Sequence, residues 1–152
     1  MAIEASHLFH LNYTPPEGCK LTINKGGTSS GKTYGILLAL CMIMIREKGR
    51  LTTVVGQDIP NLKRGAIRDM WRILSAAPEI YRHVKGYNIS ERILTFQNGS
   101  QIEFNSYADE QDAKNGKRDY LFANEVNGLK EAIFIALYDR TSLHTWVDFN
   151  PS

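Results

Sequence analysis

Cysteine is scarce, charge is nearly balanced and no apolar run is long. Each shortage removes a class of protein before any motif is read. Cys19 and Cys41 are the two cysteines of the 152 residues. They have neither metal-ligand spacing nor a disulfide framework around them, so both are expected to be reduced thiols in a cytosolic protein. Lys and Arg number 18 against 16 Asp and Glu, a net charge of +2, which gives no basic field strong enough to declare nucleic-acid binding. The longest apolar run, ILLALCMIMI from Ile36 to Ile45, falls below the roughly 18 residues needed to cross a bilayer. It reads as a core helix rather than a membrane anchor. The N-terminus, MAIEASHLFHLNY, has an early Glu4 and two histidines in place of a positive region, an apolar stretch and a cleavage site, so secretion is not expected. The length suits one domain.

What is present alternates between strand and helix signals. KLTIN, Lys20 to Asn24, alternates polar and apolar residues after Pro15, Pro16 and Gly18, and predicts a short strand. GKTYGILLALCMIMIREKG then predicts a helix apolar almost all round, stopped at Gly49. LTTVVG, Leu51 to Gly56, suits a buried parallel strand. Strand, glycine loop, helix and strand together make a βαβ unit. NLKRGAIRDMWRILSAA, Asn61 to Ala77, predicts an amphipathic helix, and RILTF and QIEF, joined across Asn98-Gly99, predict a β-hairpin inserted between parallel-sheet elements. Ser106 to Asp119 is polar and reads as an exposed loop. It leads into the apolar strand YLFAN, Tyr120 to Asn124, followed by Glu125. A helix at Leu129 to Arg140 and a strand HTWVDF complete the pattern.

The loop between the first strand and helix carries the chemistry. GGTSSGKT, residues 26–33, satisfies G-x-x-x-x-G-K-[ST] with Gly26, Gly31, Lys32 and Thr33 at the fixed positions. Glycines let the backbone N–H groups of Gly26, Gly27, Thr28, Ser29, Ser30 and Gly31 turn toward a polyphosphate, and the helix N-terminus adds partial positive charge. Lys32 reaches the β and γ phosphates and the Thr33 hydroxyl ligates Mg2+. The competing reading, a glycine turn that matches by accident, is weakened because the match lies between a strand and a helix, as the mechanism requires. A nucleotide with magnesium is therefore expected at the loop.

Hydrolysis also needs a group that positions water and a cation on the transferring phosphoryl. Asn124-Glu125, at the end of an apolar strand, supplies the first. Glu125 is the expected catalytic carboxylate, and Asn124 stands on the magnesium side where an Asp is usual, bringing an amide oxygen and no charge. Lys114, Lys117 and Arg118 are candidates for the cation, with Lys63, Arg64 and Arg140 as rivals and a solvated surface charge as the plainer reading of each. Phe9, Asn12 and Tyr13 could meet an adenine, or belong to an arm packed on the sheet.

Taken in order, GGTSSGKT after a strand, NLKRGAIRDMW, the Asn-Gly hairpin, DAKNGKRDYLFANEVNGL and the terminal DFNPS resemble the ATPase domain of the large terminase subunit of tailed bacteriophages. The resemblance covers about Lys20 to Ser152 and leaves 1–19 as an N-terminal arm. It implies an α/β P-loop NTPase domain of the RecA-like, additional-strand kind: a mainly parallel central sheet, helices on both faces and the inserted hairpin. It also implies ATP as that nucleotide and an ATPase that drives double-stranded DNA into a procapsid, with a portal protein, a small terminase subunit and a homo-oligomeric ring as partners, in the host cell cytoplasm. Lys32 and Thr33 become the Walker A pair and Glu125 the catalytic carboxylate. Asp148 and Asn150 fall at the coupling motif, with Asn150 the expected γ-phosphate sensor.

Three departures limit the transfer. Thr28, Ser29 and Ser30 stand where many members have a basic residue, with Lys25 just before them. Asn124 replaces Asp, and the chain stops at the coupling motif, so no nuclease activity is expected of it. Two other readings stay open: another additional-strand ATPase, helicase-like or AAA-type, and a nucleotide-binding module that hydrolyses poorly.

Overall fold

A computed structural model describes residues 12–26 and 31–150. The loop residues Gly27, Thr28, Ser29 and Ser30, and Phe9 of the arm, lie outside the described residues. Seven strands form one sheet: β1 (Leu21–Lys25), β2 (Leu51–Val55), β3 (Val84–Asn88), β4 (Ile93–Phe96), β5 (Gln101–Asn105), β6 (Arg118–Ala123) and β7 (Thr141–Phe149). Their order across the sheet is β1-β7-β6-β2-β5-β4-β3. The pairings β1·β7, β7·β6, β6·β2 and β2·β5 are parallel, while β5·β4 and β4·β3 are antiparallel. The chain therefore has the mixed α/β architecture and mostly parallel sheet that its sequence predicts.

Helices α1 (Lys32–Arg46), α2 (Ile59–Arg64), α3 (Ala66–Ala76) and the single turn α4 (Pro78–Tyr81) precede β3; the single turn α5 (Glu110–Ala113) precedes β6 and α6 (Glu131–Asp139) precedes β7. Strand periodicity divides the apolar side chains into two cores. Val54, Tyr120, Phe122 and Trp146 join α1 and α3 on one face, whereas Val55, Leu121, Ala123 and Val147 join α6 on the other. Successive residues such as Leu121 and Phe122 go to opposite sides because the side-chain period of a strand is two. The long apolar helix α1 is buried along most of its length, which explains its lack of a polar stripe. No helix among the described residues is long and apolar enough to cross a membrane.

Three local expectations change. The helix predicted over Asn61–Ala77 is broken at Gly65, whose backbone (φ −113, ψ −95) ends α2 and begins α3. The hairpin turns at Gly99 with φ +89, a left-handed conformation glycine adopts without strain. As expected, it is set between parallel-sheet elements: β5 pairs in parallel with β2, and β4 extends the same sheet to β3. Strand β3, interrupted by Gly86 and edged with polar residues, had no clear strand signal in the sequence. The polar loop 106–119 contains α5, capped by the Asp109 carboxylate accepting from the Asp112 N–H at 2.8 Å.

Candidate functional site

The carboxyl ends of β1, β6 and β7 meet the N-terminus of α1, the place where open α/β sheets hold ligands. β7 runs between β1 and β6, so the strand feeding the glycine loop and the strand ending at Asn124-Glu125 are separated by one strand. Register fixes who meets whom: Asn24 lies opposite Asp148 and Lys25 opposite Phe149, and the Gly26 N–H donates to the Phe149 carbonyl at 3.4 Å. Asn150, next in the chain, thus stands beside the start of the loop. Gly31 caps α1 with φ +73, which an L side chain would strain, and its carbonyl accepts from Gly35 at 2.9 Å. Lys32 is buried.

A hydrogen-bonded cluster sits directly below. The Thr33 hydroxyl donates to Asp148 Oδ2 at 2.6 Å. The Asn124 amide NH2 lies 3.2 and 3.3 Å from the two Asp148 oxygens and 3.3 Å from Thr33 Oγ1. The Glu125 backbone N–H donates to Asp148 Oδ1 at 2.6 Å. Asp148 is fully buried. Burial pushes its carboxyl above the usual carboxylate range, against the opposing pull of Thr33, the Glu125 N–H, Lys32 and Asn124. Glu125 itself is in the left-handed region, φ 52 and ψ 60. For a non-glycine residue that conformation costs of order 1–3 kcal/mol and persists only where its surroundings impose it. Here the Asp148 carboxylate on its N–H and the Gly128 N–H on its carbonyl, 2.9 Å, impose it.

A cleft of about 250 Å³ opens on this cluster, lined by Thr33, Asn61, Arg64, Gly65, Asp69, Asn124 and Glu125. Arg64 is the cation delivered here. Its guanidinium donates to Asn61 Oδ1 at 3.1 Å, and Asn61 is held by the Asp58 carboxylate through its backbone N–H (2.7 Å) and its amide (3.0 Å). The break at Gly65 brings this corner close: a Cβ there would lie 3.2 Å from the Asn61 carbonyl and 3.9 Å from Asn124 Oδ1. Asn61 and Gly65 were not singled out from the sequence, although a glycine inside a helical pattern is a signal for such a break.

The other cation candidates are elsewhere. Arg118 opens β6 at the opposite end of the strand, roughly 20 Å from Asn124 at about 3.3 Å per strand residue. It is buried, donating to Thr53 Oγ1 at 2.9 Å and the Leu137 carbonyl at 3.3 Å. Arg140 donates to the Gly116 carbonyl at 3.2 Å, and Lys117 lines the same groove as Arg118 and Arg140. Lys114 pairs with Glu110 at 3.1 Å, and Lys63 lines a groove beside Trp71. Asn12 exchanges hydrogen bonds with the Asn24 amide at 3.2 and 2.9 Å and accepts from Trp146 Nε1 at 3.1 Å. The Arg46 guanidinium stacks 4.9 Å over the Tyr13 ring. Both residues therefore pack on the sheet and α1, as the plainer of the two sequence readings has it.

No family model matches the chain, and no curated protein does. Solved structures do. The large terminase of a thermophilic bacteriophage superposes with a TM-score of 0.79 at 18% identity, over 98% of this chain and 40% of that one. The same terminase in complex with ATP-γ-S gives 0.75 at 18% identity, over 97% and 38%. The ATPase domain of the Thermus phage P74-26 large terminase gives 0.61 at 13% identity, over 99% and 71%. This chain thus spans about 40% of the length of the first of these terminases. The chain has the fold of the ATPase domain of phage large terminases.

Proposed function

We infer that residues 20–152, with the arm 1–19, form the ATPase part of a phage large terminase, and that Mg-dependent ATP hydrolysis by this unit powers translocation of double-stranded DNA into a procapsid. The observation that supports it most is the convergence of Lys32, Thr33, Asn124, Glu125 and Asp148 beneath one helix N-terminus, with β7 between β1 and β6. In this reading the 26–33 loop and Lys32 hold the polyphosphate. Glu125, exposed to the cleft, orients the attacking water, Asn150 senses the γ-phosphate and Arg64 offers positive charge from the cleft wall. The donor set suits magnesium: the Thr33 hydroxyl lies against one carboxylate, Asp148, at 2.6 Å, and this ion is ordinarily held by one or two carboxylates, a hydroxyl and the substrate phosphates. Thr33 would stand on its side, with the Asp148 carboxylate beneath it. The ion supplies neutralisation of charge on the β and γ oxygens.

DNA, portal, small subunit, a ring of copies and the host cytoplasm follow from the likeness to terminases. The exposed basic row Lys63, Arg64, Arg68 and Arg72 on α2 and α3 adds a surface suited to phosphates. A second reading, nucleotide binding with slow hydrolysis, is favoured by one observation: the residue after β6 is a neutral amide.

Thermal melting with and without Mg-ATP tests the site. Ligand at a hundredfold excess over Kd stabilises the folded state by about 2.7 kcal/mol, so the parent midpoint rises by several degrees and that of Lys32→Ala does not. Equal response in both would remove GGTSSGKT as the phosphate cradle. Turnover measured beside it separates the ATPase from the slow binder.

A further inference from the structure

We propose that the acidic group of the magnesium shell has changed strands in this protein: Asp148 of β7 carries the charge that the Asp-Glu pattern places at the end of β6, and Asn124 is its neutral partner. This assignment rests on the ATPase reading and deepens it.

The two side chains are interchangeable by geometry. β6 and β7 are parallel neighbours with Ala123 opposite Val147, so Asn124 and Asp148 follow side by side. Both lie on the face of Phe122 and Trp146, beneath α1. An acid on one strand and an amide on the other give the same charge and nearly the same volume as the reverse. What differs is which one the loop hydroxyl finds. Thr33 donates to Asp148 at 2.6 Å, whereas Asn124 presents only its NH2 to Thr33 and to the carboxylate. An amide nitrogen has no lone pair for a cation or for the protons of metal-bound water. The Asn124 oxygen is on the Gly65 side. The acceptor next to the Thr33 hydroxyl is therefore Asp148.

A fully buried carboxylate is costly unless it is paired, and this one sits at the junction of the loop helix, β6 and β7 with a donor from each neighbouring element. The same carboxylate also holds the Glu125 N–H at 2.6 Å and so fixes the strained backbone that aims the water-positioning residue. One group links the magnesium side to the water side of the reaction.

The experiment measures ADP affinity of the whole chain by calorimetry, in EDTA and in Mg2+, for the parent, Asp148→Asn, Asn124→Ala and the exchange Asn124→Asp/Asp148→Asn. Magnesium should tighten ADP binding in the parent and in Asn124→Ala. In Asp148→Asn that gain should shrink by about 10- to 100-fold while affinity in EDTA stays near the parent's, and the exchange should recover most of the loss. A magnesium gain that survives Asp148→Asn, or that vanishes in Asn124→Ala, overturns the assignment while leaving the ATPase reading intact. Should Asp148→Asn fail to melt cooperatively, Asn124→Ala and the exchange still decide. Absence of ADP binding by the parent overturns both.

Discussion

The amino and carboxyl ends of the parallel strands treat polar groups in different ways. At the amino ends of the strands a connected set of polar side chains is paired within the protein. Arg118 is held by Thr53 and the Leu137 carbonyl. The Tyr120 hydroxyl donates to Glu47 at 2.6 Å, Glu47 meets Arg46 and Arg50, and Arg50 reaches Asp119. Asn98, in the hairpin turn, donates to the Met44, Ile45 and Glu47 carbonyls and closes the end of α1, where four carbonyls lack helical partners. At the carboxyl ends the polar groups lean on one another: a buried acid with a raised pKa, a lysine buried nearby and a glutamate with a left-handed backbone. One end of the same helix is satisfied by side chains, and in the proposed function a nucleotide's phosphates would satisfy the other. Strain and buried charge in a protein of marginal stability are tolerable where a ligand offsets them.

The largest expected effect breaks the carboxyl end without unfolding it. Glu125→Gln should bind Mg-ATP like the parent and lose about 10²- to 10⁴-fold in turnover, the range of a positioned general base. A phosphate-release assay beside the nucleotide melt checks it, and undiminished turnover would remove Glu125 from the reaction. Next, Arg118→Ala should break the amino end and spare the site. Loss of a buried donor to two acceptors costs about 1–3 kcal/mol, visible as a lower urea midpoint, while ADP affinity of the folded protein stays unchanged. Loss of nucleotide binding at full stability would instead mean that the two ends are coupled.

The smallest effect sharpens the comparison through pH. His144 on β7 lies 3.0 Å through Nδ1 from the Cys19 carbonyl and 2.7 Å through Nε2 from the Thr22 hydroxyl. Since a carbonyl only accepts, Nδ1 carries the proton and Nε2 accepts from Thr22 in the neutral ring. Burial pushes the His144 pKa down, only partly opposed by the Cys19 carbonyl. The unfolded chain then binds a proton that the folded chain resists, so the stability from a neutral His144 is present above about pH 6.5. It is lost as pH falls through the lower folded value. Melting curves from pH 7.5 to 5 should show this slope, and His144→Gln should flatten it.

Much of the site was legible because its elements are local. Gly31, Lys32 and Thr33 are consecutive, and Asn124-Glu125 follow the apolar run Tyr120–Ala123 that ends β6, whose type is set by its own residues. The parallel strands were legible for the same reason, each being a short β-branched or aromatic run between turn signals. The break at Gly65 was hidden because the apolar spacing continues through it, and β3 because an edge strand with polar faces has weak periodicity. Arg118 and Arg64 could not be ranked from sequence: both are basic residues beside a motif, and only the strand direction sends one to the far end and the other to the cleft.

By itself the sequence determined a glycine-rich loop pattern between a strand and an apolar helix, a glutamate after an apolar strand and an acid and an amide near the end of the chain. Those depend on neighbours within a few positions. The tertiary structure alone decided that β7 passes between β1 and β6, that the Thr33 hydroxyl donates to Asp148 while Asn124 turns its NH2 to Thr33, and that Asp148 also holds the backbone N–H of Glu125. These contacts join residues 23 and 115 positions apart. Strand order and register, which no local pattern encodes, bring them within hydrogen-bond distance.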